Sequence, residues 1–353
     1  MKKPLSFIPV GVLLLILLFC FYGCGVQQDT FAFQYWNEDS SALAELTAYV
    51  EAVTGEGSED YIPEEDRIAV FDLDGTLMGE TAPTYFDWVM YSYRVLEDPD
   101  YAGQATKEMV KTAETIKKIP VDGIPELFEY EHIRDNAKAF AGMTTEEFEA
   151  YVRAFLKRDV DGFDNLKYED LFYKPMLEVV TYLQDKGFTV FVVSGTDTQT
   201  CRIVLQDVVS LPSYQIIGSV YSVEPEGQGD KDSLNYSMTA EDKIVRDGSY
   251  VLKNVKVNKI KTMWEHVGAK PVLSFGNSSG DFSIAMMTTS DNPYLSKAFF
   301  ILADDEEREY GDVEKAASFS EEVKSNGWST FSMKDDWSTI YGNEAVRTSR
   351  SAE

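Results

Sequence analysis

Five short apolar runs, each closed by a polar turn and separated from the next by helical spacing, constrain this chain more than any other feature. They are 68–71 (IAVF), 188–193 (FTVFVV), 214–220 (YQIIGSV), 271–275 (PVLSF) and 297–302 (KAFFIL). The last four alternate with helical patterns over 174–187, 199–209, 258–268 and 281–290. Continuous apolar runs of this length read as strands buried on both faces. Strands that alternate with helices pack as a parallel sheet between helical layers. The pattern predicts an α/β fold with a three-layer, Rossmann-like core.

Residues 78 to about 170 break the alternation. Amphipathic pieces near 84–97, 104–118, 124–140 and 146–158 follow one another there, and Thr144 with Glu147 forms a capping box for the last. This predicts a mostly helical cap inserted after the first strand. Another helix is expected over 41–53, and the stretch VRDGSYVL (245–252) reads as a hairpin turning at Asp247-Gly248. The expected divisions are a spacer at 25–35, a core of 36–77 and 171–345, a cap of 78–170 and a flexible tail at 346–353.

The first strand ends in Asp72, Leu73, Asp74, Gly75 and Thr76. An acidic turn after a strand is ordinary by itself. Two buried carboxylates are nevertheless unfavourable unless paired or bound to a cation, and open α/β sheets bind ligands at this end of their strands. Other strand ends carry matching chemistry: Ser194-Gly195-Thr196 after the second run, and GNSSGD (276–281), with Asn277 and Asp281, after the fourth. Lys256 opens the helix before that fourth strand. Hard oxygen donors without a cysteine or histidine cluster suit Mg²⁺ over zinc. Two acids, a metal, a hydroxyl and a lysine suit phosphoryl transfer, one carboxylate attacking while the cations offset charge.

Composition narrows the classes. The 353 residues carry 60 acids against 32 bases, a net charge of -28, which argues against a nucleic-acid binder and against docking on anionic lipid by charge. A hydrophobic content of 44% indicates a globular chain. Two histidines, His132 and His266, lie far apart, so neither a histidine zinc site nor a Ser-His-Asp triad is expected.

The opening MKKPLSFIPVGVLLLILLFCFYGCG has two lysines, an uncharged apolar run and small residues around a cysteine, the form of a secretory signal. FYGC, ending at Cys24, resembles a bacterial lipoprotein cleavage box, with Phe21 where leucine is usual. Residues 1–24 are therefore expected to be a lipoprotein signal peptide with Cys24 lipidated, or else an uncleaved membrane helix. Either places the body outside the cytoplasmic membrane.

DLDGT, VSGT, the lysine at 256 and GNSSGD resemble, in order, the four motifs of the haloacid dehalogenase-like phosphohydrolase superfamily. The cap resembles that of its phosphoserine-phosphatase-like branch. YKPMLEVVTYLQDKGF and GWSTFSMKDDW extend the resemblance to secreted bacterial members, over roughly 36–341. It implies Asp72 as nucleophile, forming an aspartyl-phosphate, and Asp74 as general acid/base. It implies Thr76 positioning the loop, Ser194 and the Gly195 amide on phosphate, and Lys256 steadying nucleophile and phosphate. Mg²⁺ would be held by Asp72, Asp74, Asn277 and Asp281, with asparagine where most relatives have aspartate. Lys259 competes for the lysine role; Lys256 is preferred because KVNKI aligns with the family's lysine four residues before isoleucine. Glu80 sits where related phosphatases place an acid facing the substrate's other end. The expected function is a monomeric Mg²⁺-dependent phosphomonoesterase acting on a small phosphorylated metabolite. A phosphosugar mutase and a non-catalytic binding lipoprotein stay open as alternatives. The run DDEERE (304–309) is read as a solvated loop and Cys201 as inert.

Overall fold

A computed structural model describes residues 31–350. The signal or anchor assigned to 1–24, lipidation at Cys24 and the spacer up to residue 30 lie outside the described residues. The strands in chain order are β1 (Ile68–Phe71), β2 (Phe163–Asp164), β3 (Thr189–Asp197), β4 (Ile216–Pro225), β5 (Ile244–Leu252), β6 (Leu273–Gly276), β7 (Lys297–Leu302), β8 (Ser329–Ser332) and β9 (Val346–Arg347). The helices are α1 (Ser41–Thr54), α2 (Phe86–Leu96), α3 (Lys107–Asp122), α4 (Phe128–Ala139), α5 (Thr145–Leu156), α6 (Lys174–Asp185), α7 (Thr198–Leu205), α8 (Val257–His266), α9 (Phe282–Thr289) and α10 (Val313–Ser325).

Every residue of β1 is buried, as its unbroken apolar run requires. It lies inside a sheet of order β5-β4-β3-β1-β6-β7-β8, in which only the β4–β5 pair is antiparallel. Helices cover both faces, so the fold is α/β with three layers. On one face Phe71, Phe275, Phe299 and Phe331 stack across four strands, with neighbouring centroids 4.2, 5.7 and 4.9 Å apart. Such cross-strand aromatic pairs fix strand register. Trp36 caps this row on Phe331 and donates its indole N–H to Pro175 of α6. On the other face, Val70, Phe191 and Ile217 pack with Met263 of α8 and Ile284 of α9.

Between β1 and α6 the chain makes its helical excursion, α2 to α5. It leaves through Met78-Gly79 and returns through Leu171–Tyr173. The two passages are tied by Gly79 N–H to Leu171 O at 3.0 Å and Tyr173 N–H to Leu77 O at 2.9 Å. The capping box at Thr144 and Glu147 is present at the start of α5.

Four sequence expectations need correction. Asp247-Gly248 is no hairpin turn: β5 runs straight through it. Tyr221 faces Tyr250 while Val223 faces Arg246, so 247–249 bulge opposite one residue of β4, with Gly248 at φ 86°. Of the tail assigned to 346–353, residues 346–350 are not free, because β9 pairs with β2 and Arg350 lies over Tyr310. The spacer assigned to 25–35 ends earlier: Gln34 and Tyr35 donate their N–H groups to Glu178, and Phe33 packs edge-on to Tyr182. Within DDEERE, Asp305 and Glu309 are buried. Arg308 pairs with Asp305 at 2.6 Å, and Glu309 accepts from Thr81 and Tyr341.

Candidate active site

The carboxyl ends of β1, β3 and β6 meet in the middle of the sheet, and the side chains that follow them surround one cavity of about 90 Å³. Asp72 and Asp74 lie on its floor and Gly195 and Thr196 on one wall. Asn277 and Asp281 lie on another, and Glu80, Tyr85, Asp87 and Trp88 come from the cap side. Gly75 makes the turn between the two acids and Met78 possible. It has φ 76°, and a Cβ there would lie 1.9 Å from Asn277 Nδ2. Its N–H donates to Met78 O at 2.7 Å, which closes the loop and aims both carboxyls into the cavity.

Lys259 Nζ donates to Asp72 Oδ1 at 2.5 Å and to Asp281 Oδ1 at 2.6 Å, and the side chain is 4% exposed. The lysine expected in this place, Lys256, is exposed and caps α8 at φ 53°. The reason is helical phase. Lys259, Thr262 and Met263 form the buried side of α8, and residue 256 precedes its first turn. Lys256 still borders the cavity mouth.

Asp74 Oδ2 accepts from Thr196 Oγ1 at 2.8 Å and from Ser194 Oγ at 3.3 Å. Ser194 is fully buried behind the wall, where it also accepts the Thr196 N–H, so of these two residues it is Thr196 that lines the cavity. Thr76 is fully buried within the loop. Asn277 donates its amide to Glu80 Oε1 at 2.8 Å. Asp281 Oδ2 accepts the N–H groups of Asn277 and Ser278 and so shapes that loop.

The family described as haloacid dehalogenase-like hydrolase matches residues 69–286. The chain belongs to this family. No curated protein sequence matches this hydrolase. Among solved structures, a conserved protein of unknown function from Anaerococcus prevotii shares its fold, with TM-score 0.53 and 13% identity over 87% of this chain and 96% of that one. A phosphoserine phosphohydrolase-like protein from Francisella tularensis gives TM-score 0.39 and 14% identity over 74% and 94%. A substrate-bound phosphoserine phosphatase gives 0.36 and 11% over 67% and 86%.

Sequence reasoning gave no role to Thr196, Lys253, Asp87 or Glu129, all of which line the hydrolase's cavity. Thr196 follows Ser194 by two on a strand, the spacing that shares a face, and that signal was available. Lys253 reaches the site from the end of β5, donating to Gly195 O at 3.0 Å and pairing with Glu129 at 3.6 Å. Asp87 and Glu129 come from α2 and α4, and only the folded cap brings them here.

Burial pushes the Asp72 and Asp74 carboxyls up, against Lys259 for the first and the Thr196 hydroxyl for the second. Burial likewise pushes Glu80 and Asp87 each up to about 8. For Lys259 burial pulls down, but Asp281 and Asp72 outweigh it and keep the group a cation. The residues suit a hard divalent ion. Every free donor is oxygen, acids outnumber ammonium groups around the cavity, and Asp74 Oδ1 is buried without a hydrogen-bond partner. Lys259 meanwhile holds Asp72 and Asp281, and among the described residues no three acid, histidine or cysteine side chains stand grouped as a ready ligand set.

Proposed function

We propose that this hydrolase cleaves phosphomonoesters through an aspartyl-phosphate on Asp72. The observation that carries the reading is the pairing of two acids at the end of β1 with opposite surroundings. Asp72 is fixed by an ammonium and Asp74 by hydroxyls. An Asp72 oxygen attacks phosphorus as the bond from phosphorus to the ester oxygen breaks. Asp74, its carboxyl pushed up by burial, gives a proton to the departing oxygen. Asp74 then takes a proton from water as the water oxygen attacks the phosphorus of the acyl phosphate. Phosphate leaves, and Asp72 is restored. Lys259 and Lys253 offset charge on the phosphoryl oxygens, and the Gly195 and Thr196 wall orients them. Mg²⁺ held by Asp72, Asp74 and Asn277, beside Asp281, would supply a further counter-charge to the phosphate. The protein would act outside the cytoplasmic membrane as a monomer, held by lipid on Cys24 or by an uncleaved helix.

The test is release of p-nitrophenol from p-nitrophenyl phosphate, with Mg²⁺ and after chelation. Wild type is expected to turn over only with the ion. Asp72→Asn is expected to lose at least about 10³-fold, roughly 4 kcal/mol of barrier, with an unchanged circular dichroism spectrum. Equal rates in the two proteins would overturn the reading.

A further inference from the structure

The phosphate site is small. Its volume is about 90 Å³. It opens into a second cavity of about 630 Å³, with Glu80, Tyr85, Lys256 and Asn277 bordering both. That volume lies in the range of about 300–1,000 Å³ typical of pockets that enclose drug-sized ligands. Much of its wall, including Leu302, Tyr310, Phe319 and Met333, lies beyond residue 286, where the family match ends. α10 lies along the cavity, and Ile124, 45% exposed, reaches it from the cap. Its charged rim has Glu129, Asp312 and Glu322 against Lys256 and Lys315.

Resting on the hydrolase reading above, we propose that the substrate is a phosphomonoester with a bulky, partly apolar leaving group, uncharged or cationic, lying along α10. Apolar area removed from water on the Phe319 and Ile124 side favours such a group. The surplus of acids on the rim disfavours one that carries its own carboxylate or second phosphate.

The full chain, with Mg²⁺, is assayed on ethyl phosphate and 2-(naphthyl)ethyl phosphate, whose alcohols have like acidity, and on the naphthyl ester bearing a ring carboxylate. The plain naphthyl ester is expected to exceed both others at least tenfold in kcat/KM. Ile124→Asp and Ser318→Trp alter exposed positions on that cavity's wall, and either is expected to lower the naphthyl-to-ethyl ratio at least tenfold, chiefly through KM. Asp72-dependent release that is equally fast for all three esters, or a ratio unmoved by both variants, overturns this inference and leaves the hydrolase reading standing. Release from none of the esters overturns both.

Discussion

Lys256 and Lys259 differ by three positions and by almost everything physical. The first is exposed at the start of α8; the second is buried between Asp72 and Asp281. Removing one partner of a buried ion pair typically costs about 3–5 kcal/mol, because the other charge stays buried and uncompensated. Lys259→Met is therefore expected to lower urea-unfolding stability by roughly that amount and to abolish turnover. Lys256→Ala is expected to shift stability by less than about 0.5 kcal/mol, the usual range for an exposed position. Equal losses in the two variants would contradict the assignment of Lys259 to Asp72.

At the scale of elements, β5 links core and cap. Arg246 on this strand pairs with Asp197 at 2.9 Å, with both side chains almost fully buried, and its guanidinium lies over Phe148 of α5 and Tyr221 of β4. Its backbone exchanges hydrogen bonds with Gly142 and Met143 just before α5. Arg246→Leu strands Asp197, which also accepts the Gln199 N–H at the start of α7. The expected loss is again about 3–5 kcal/mol in denaturant unfolding. A loss below about 1 kcal/mol would show that the strand holds the cap without this pair.

For the whole molecule, charge and burial act in the same direction. Glu80 and Asp87 hold their protons up to about 8 in the folded chain, whereas an unfolded carboxyl loses its proton near about 4. Between those values the unfolded state binds fewer protons, so stability falls as pH rises and levels off above about 8. Self-repulsion at a net charge of -28 adds to the fall. The melting temperature of metal-free protein is expected to drop from pH 5 to 8.5. Asp87→Asn removes one buried carboxyl and should make the drop shallower, whereas 0.5 M salt should remove only the repulsion. A flat or rising profile would refute this account.

The sequence by itself determined the strand order in the chain, most helix positions, and the carboxylates at the end of β1. These are local: an apolar run, a 3.6-residue spacing or a turn glycine leaves its mark within a few residues. The path of α10 and the course of 247–249 were not legible in the same way. The first depends on packing against β7 and β8, and the second on pairing with β4. Tertiary structure alone decided which lysine meets Asp72 and that Asp87, Glu129 and Lys253 join the site. Those contacts join residues far apart in the chain, and helical phase and sheet order, set by burial across the whole core, choose among candidates whose local sequences look alike.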